Sequence, residues 1–271
     1  MKDLFSIEGK VALVTGGSRG IGEMIAAGFL AHGAKVYISS RKADVCNATA
    51  ARLMDTYGYG GECISLPANV SGLAGIKSLA AELESRESKL DILVNNAGIS
   101  WVEPLDEFSE AGWDAVINTN MKGVFFLTQK LLPLLRNSAN AENPARVVNI
   151  GSIDGITTPY YEAFPYGPSK AAVHHLTRIL AARLVREHIL VNAIAPGPFP
   201  SRMLSSGIGA GPDPSVVDWE TTGEILPRGR VGSVEDIAGL TIYLCSRAGA
   251  YTVGETITCD GGVMIVGSNN K

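Results

Sequence analysis

The sequence predicts a doubly wound α/β fold, one seven-stranded parallel sheet with helices on both faces. Three observations carry this expectation. Short β-branched runs alternate with segments of helical period along most of the chain. The runs, such as Val11-Ala12-Leu13-Val14 and Ile92-Leu93-Val94, are almost continuously apolar, as strands covered on both faces require. A glycine-rich turn separates the first such run from the first helical segment. With 271 residues, 46% hydrophobic and 18% charged, the chain can bury one such core, so residues 1–271 read as a single domain.

Taken in order, the predicted strands are Val11–Thr15, Lys35–Ser39, Glu62–Leu66, Ile92–Asn95, Arg146–Ile150, Leu190–Ile194 and Thr256–Cys259. Each is short, rich in Val and Ile, and bounded by Gly, Asn, Ser or Pro. The predicted helices are Gly20–Ala31, Ala43–Tyr57, Leu73–Glu87, Ser109–Arg136, Tyr166–Glu187 and Val234–Leu244. Those beginning at Ser109 and Tyr166 carry more apolar side chains than one sheet-facing stripe needs. They are therefore expected to pack against another copy of the chain, as in a homotetramer. The proline- and glycine-rich stretch after the sixth strand, about 198–230, is too long for a connector and reads as a substrate lid.

Composition excludes several classes of function. A formal charge of −4 offers no basic face for nucleic acid. No apolar run is long and unbroken enough to span a membrane, and the charged first ten residues lack a signal-peptide pattern. Cys46, Cys63, Cys245 and Cys259 show no metal-ligand spacing and read as free thiols of a cytoplasmic protein. No metal site is expected.

The turn Thr15-Gly16-Gly17-Ser18-Arg19-Gly20-Ile21-Gly22 has the chemistry of a dinucleotide-binding, Rossmann-type crossover. One glycine permits the sharp turn, one lets backbone approach pyrophosphate, and one lets the helix pack close to the sheet. Free N–H groups then meet phosphate at the positive end of the helix. Where the second strand ends, a carboxylate would accept from the adenosine ribose; here stands Ser39-Ser40-Arg41-Lys42. With Arg19 and Arg41 available to a 2′-phosphate, NADP(H) is expected over NAD(H). A second small-residue loop, Asn95-Asn96-Ala97-Gly98, lets the chain pass close to a ribose.

The reacting groups are sought in Tyr166-Gly167-Pro168-Ser169-Lys170. Tyr166 and Lys170 lie one helical turn apart on one face, and an ammonium there is expected to lower the phenol pKa. Tyr166 then suits a general acid for a ketone or a base for an alcohol. Pro168 is tolerated near a helix start, which places Tyr166 at a cleft mouth. Ser152, closing the fifth strand, can hydrogen-bond a carbonyl as charge develops on its oxygen. His174 and His175 read as core or subunit contacts; Asp154 follows Ser152 closely enough to touch substrate, though a solvated loop carboxylate is the default reading.

These motifs together resemble the short-chain dehydrogenase/reductase family, over about Ile7 to Gly262. The family's TGxxxGxG corresponds to Thr15–Gly22, its NNAG to Asn95–Gly98 and its YxxxK to Tyr166–Lys170. The resemblance implies a catalytic tetrad of Asn120, Ser152, Tyr166 and Lys170. It implies cofactor contacts from Gly16, Ser18, Arg19, Gly20, Ile21, Gly22, Arg41, Asn96, Ala97, Gly98, Tyr166, Lys170, Pro196 and Gly197. Two positions depart from the family pattern: Ser201 replaces the threonine that holds the nicotinamide carboxamide, and Asn69-Val70 replaces Asp-Val beside the adenine. Family chemistry implies hydride transfer from NADPH to a carbonyl polarised by Ser152 and Tyr166, with the proton resupplied by way of the ribose, Lys170 and a water held by Asn120.

The segments Asn143–Ser152, Tyr166–Lys170 and Ala195–Met203 are similar to β-ketoacyl reductases of the rhamnolipid-producing type, implying a 3-oxoacyl thioester substrate. Trp101, Tyr160, Tyr161, Phe199 and Met203 could wall an acyl chain or simply pack the core and lid. Two other readings stay open: a polyol, sugar or other secondary-alcohol dehydrogenase on the same machinery, and a nucleotide-sensing protein that has lost turnover.

Overall fold

In the computed structural model, which describes residues 3–58, 60–158 and 161–266, the seven strands form one parallel sheet in the order β3-β2-β1-β4-β5-β6-β7. They are β1 (Val11–Thr15), β2 (Lys35–Ser39), β3 (Glu62–Ser65), β4 (Ile92–Asn95), β5 (Ala145–Ile150), β6 (Ile189–Pro196) and β7 (Thr256–Cys259). Strand order reverses between β1 and β4, so a crevice opens at their carboxyl ends. Register is tight, with Val14 opposite Ile38 on one side and Val94 on the other.

Because strand side chains alternate, each strand feeds two cores. Ala12, Val14, Val36, Ile38 and Val94 point to one face, under α1 (Gly20–Ala31), α2 (Ala43–Tyr57) and a carboxy-terminal helix, Val234–Cys245. Val11, Leu13, Tyr37, Leu93 and Val147 point to the other, under α3 (Leu73–Arg86) and two long helices. Double coverage accounts for the unbroken apolar character of the strands.

The helix expected over Ser109–Arg136 differs from its prediction. It is α4 (Glu110–Ile117), a π-helical turn over Asn118–Lys122, and α5 (Gly123–Ser138). Ser109 caps α4 by accepting from Gly112 N–H. The inserted residue of the π turn re-aims Asn120 into the molecule, where it is 1% exposed. Helix α6 (Tyr166–Leu184) begins at the tyrosine, with Pro168 in its first turn, and a 3-10 turn over Val185–Glu187 finishes the predicted segment. The segment after β6 holds two short helices, α7 (Arg202–Gly207) and α8 (Trp219–Glu224), before α9 (Val234–Cys245), which opens on a Ser233/Asp236 capping box; α10 (Val263–Val266) follows β7. Cys46, Cys63, Cys245 and Cys259 are free thiols, Cys259 only partly buried. No helix among the described residues is long and apolar enough to cross a membrane.

Candidate active site

The glycine turn is built by steric necessity. Gly16 and Gly20 adopt φ of +64° and +54°, a region L side chains rarely enter. At Gly22 a methyl group would strike Asn96 Nδ2 and the carbonyl of Gly16. That close approach is secured from β4: Asn96 donates from Nδ2 to Thr15 O at 2.9 Å, and Thr15 Oγ1 accepts from the backbone N–H groups of Asn96 and Ala97. Ser18, nearly buried, is tied to α2 by Thr49, whose hydroxyl donates to Ser18 O. Ile21, the first apolar residue of α1, packs against the core below.

Three guanidinium groups rim this turn. Arg19 and Arg41 were expected there; Arg202, from the first position of α7, was not. Burial, and then the like charges of Arg202 and Arg41, hold the Arg19 guanidinium below its usual range. No carboxylate pairs with any of the three among the described residues. The Asp213 carboxylate feels Arg202 without forming an ion pair with it, and nothing comparable offsets Arg19 and Arg41 among the described residues, so this group of like charges calls for an anion. Ser201 brings Arg202 into place, since a Cβ on Gly20 would lie only 3.3 Å from Ser201 Cβ, and the Ser201 hydroxyl caps α7 by accepting from Leu204 N–H. Pro196 ends β6, and Gly197 N–H donates to Cys259 O at 3.0 Å; a Cβ on Gly197 would crowd Asp260.

Toward the centre of the crevice stand the reacting candidates. Ser152 follows β5 and caps the 3-10 turn Ile153–Gly155, and Tyr166 opens α6; both are 8% exposed, while Lys170 is 4% exposed. Lys170 Nζ donates to Ile150 O at 2.9 Å and lies 5.6 Å from the centre of the Tyr166 ring. Asn120 is bonded into the same cluster: its Oδ1 accepts from Ile99 N–H, and its Nδ2 donates to Ile99 O and Ser169 Oγ. A Cβ on Gly98 would touch Asn120 Oδ1 and Lys170 Nζ, each at 3.4 Å, so this glycine keeps the floor open.

The electrostatics correct one expectation. Lys170 does not pull the Tyr166 phenol down. Burial and the nearby Asp154 carboxylate raise it, and the hydrogen bond with Ser152 only partly offsets them. Burial also brings the Lys170 ammonium down to about 8 against the opposing pull of Asp154. Tyr166 is therefore a phenol that holds its proton at neutral pH, suited to donating one.

For Asp154 the sequence left two readings open, a substrate contact and a solvated loop carboxylate. It is half-buried, not a solvated loop carboxylate; its N–H donates to Ser152 Oγ at 3.1 Å and its carboxylate accepts from the Tyr161 hydroxyl. The Ser-x-Asp spacing, which closes a short side-chain-to-backbone turn, was the available signal. Among the suggested wall residues, Phe199 lies in the core under Gly232, Trp101 packs on Gly112, and Tyr161 and Met203 are partly exposed; Tyr160 lies outside the described residues. At the adenine end, Asn69 spends its Oδ1 on the N–H and hydroxyl of Ser71, while Val70 is buried beside Gly123. His174 is buried; His175 is exposed and pairs with Arg178.

A glycine turn rimmed by guanidinium groups, with a serine, a tyrosine and a lysine gathered at the adjoining strand ends, defines an oxidoreductase of the ketone and alcohol class. Comparison with known proteins agrees. The family model described as enoyl-(acyl carrier protein) reductase matches residues 16–264. The chain is 50% identical, over 97% of its length and 99% of the relative's, to a rhamnolipids biosynthesis 3-oxoacyl-[acyl-carrier-protein] reductase of Pseudomonas aeruginosa. It is 33% identical, over 97% and 98%, to a gluconate 5-dehydrogenase of Gluconobacter oxydans. Its structure resembles a Pseudomonas aeruginosa RhlG/NADP active-site complex, with a TM-score of 0.87 at 50% identity, covering 97% of this chain and 99% of that one. The chain belongs to the short-chain dehydrogenase/reductase family.

Proposed function

We propose that the chain is an NADP(H)-dependent reductase of 3-oxoacyl thioesters. The observation that carries this reading is the joint placement of Ser152, Tyr166 and Lys170 beside a glycine cradle rimmed by unpaired guanidinium groups. Similarity to a 3-oxoacyl-[acyl-carrier-protein] reductase supports the substrate class. Gly16, Ser18, Arg19, Gly20, Ile21 and Gly22 would hold the pyrophosphate, with Arg41 at the adenosine 2′-phosphate. Asn69 and Val70 would stand beside the adenine, Asn96, Ala97 and Gly98 along the riboses, and Pro196, Gly197 and Ser201 at the nicotinamide. When bound, the nicotinamide supplies hydride.

The chain's own groups do the rest. Ser152, whose oxygen already accepts from Asp154 N–H, has one hydroxyl proton, which is shared with the Tyr166 oxygen in this structure and would turn to the substrate carbonyl when one binds. As charge grows on the carbonyl oxygen, Tyr166 passes its proton to it. Lys170, anchored on Ile150 O, keeps two further N–H groups for the ribose hydroxyls and the phenol. Asn120 fixes the loop at Ile99 against Ser169 of α6, and so sets the distance between the floor and the tyrosine. The segment 198–230 would cover the acyl chain.

The protein is further proposed to be a homotetramer, supported by exposed apolar side chains at Met121 in the π turn, Phe125 on α5 and Ile179 on α6, and to be cytoplasmic. A sugar or polyol reading is favoured by the likeness to a gluconate 5-dehydrogenase. Following NADPH and NADH oxidation with acetoacetyl thioesters, ketoses and an enoyl thioester separates these readings. Fastest turnover is expected for the 3-oxo thioester with NADPH; a preference for ketoses would move the assignment to a sugar reductase.

A further inference from the structure

The 3-10 turn Ile153–Gly155 is held against the first turns of α6 by two glycines. A Cβ on Gly155 would lie 2.6 Å from Ala171 N, and one on Gly167 would lie 2.9 Å from Asp154 O. The turn therefore lies directly against the start of α6, with no room for a side chain between them. On it, the Asp154 carboxylate is held by the Tyr161 hydroxyl, and no lysine or arginine forms an ion pair with it among the described residues. Its field reaches both reacting groups, raising the Tyr166 phenol and opposing the fall of Lys170. The titratable groups around it are Tyr161 on its own loop and Tyr166 and Lys170 on α6; His174, one turn further on, is neutral at pH 7.

We propose that Asp154 is a charge filter beside the reacting carbonyl: its carboxylate admits neutral β-keto esters and thioesters and turns away free β-keto acids. A carbonyl within hydrogen-bond reach of Ser152 and Tyr166 places its β-carboxyl carbon within a few bond lengths of those oxygens, inside the range over which Asp154 is already felt. Esterified to a carrier, that carbon bears no charge. As a free acid it carries a negative charge facing another in a half-buried site, where such repulsion is worth about tenfold to a hundredfold in binding. The proposal rests on the carbonyl-reductase reading and deepens it, since it names the carrier-bound form of the substrate as the one accepted.

The test compares ethyl acetoacetate with acetoacetate, which differ in that charge. It uses NADPH oxidation by the full chain, with acetoacetate also measured as a competitive inhibitor of ester reduction. In the wild-type protein the ratio of kcat/KM, ester over acid, is expected to exceed about tenfold. Asp154→Asn should collapse that ratio by at least tenfold and tighten acetoacetate inhibition in parallel. Tyr161→Phe, which removes the hydrogen bond and keeps the charge, should leave the ratio high. A ratio that is the same in Asp154→Asn as in wild type overturns the filter. So does a ratio that falls equally in Tyr161→Phe, because shape and not charge would then discriminate. Turnover of neither ketone by the wild-type protein would instead overturn the reductase reading on which the filter depends.

Discussion

At the scale of single residues, the cofactor end turns on charge. Arg41, just beyond β2, is exposed and forms no ion pair among the described residues, and its like charge already bears on Arg19. A 2′-phosphate would relieve that crowding, whereas an unphosphorylated ribose would not. Arg41→Ala is therefore expected to weaken NADPH binding about tenfold to a hundredfold while leaving NADH affinity nearly untouched, as measured by cofactor fluorescence titration. Equal losses for both cofactors would contradict the assignment. Much of this site was legible in the sequence because glycine and basic residues have few structural substitutes: a Cβ has no room at Gly16 or Gly22, and Gly16 and Gly20 hold a positive φ that strains other side chains. Arg202 was not legible and Asp154 only as one of two readings, since a lid arginine and a loop carboxylate acquire their places only when β5, α6 and the glycine turn converge.

At the scale of elements, α6 organises the crevice. Tyr166, Lys170 and His174 fall at successive turns on its buried face, and His174 Nε2 has no hydrogen-bond partner and sits where a Cβ on Gly151 would be. Burial, with help from Lys170 and Arg178, takes the His174 imidazole down to about 4. Its unfolded value is near 6.5, so between these values the unfolded chain binds more protons than the folded one. The contribution of His174 to stability is complete above about pH 6.5 and is lost as pH falls toward 4, at a cost of up to about 3 kcal/mol. Urea unfolding from pH 7 to 4.5 should show this fall, and His174→Gln should flatten it; an unchanged slope in the variant would place the acid sensitivity elsewhere. Element types were read correctly because each strand must be apolar on both faces. The π turn at Asn118–Lys122 was missed because a single inserted residue leaves the helical period of Ser109–Arg136 almost intact.

At the scale of the whole molecule, the parallel sheet explains why one short chain can bring these parts together. The order reversal between β1 and β4 opens the crevice, the β1 turn and β4 loop supply its cofactor side, and β5, α6 and the end of β6 supply its chemical side. Exposed Met121, Phe125 and Ile179 leave apolar surface that a monomer would present to water. Light scattering at micromolar concentration is expected to give four times the 28.5 kDa chain mass; a monomer would remove the assembly proposal without touching the site. The central claim is that Tyr166 is the proton donor to a ketone in an NADPH-dependent reduction. Its most direct test is NADPH oxidation with an acetoacetyl thioester by Tyr166→Phe, alongside NADPH binding by the same protein. Turnover should fall about a thousandfold while cofactor affinity stays within a few-fold of wild type. Turnover within tenfold of wild type, with cofactor still bound, would contradict it.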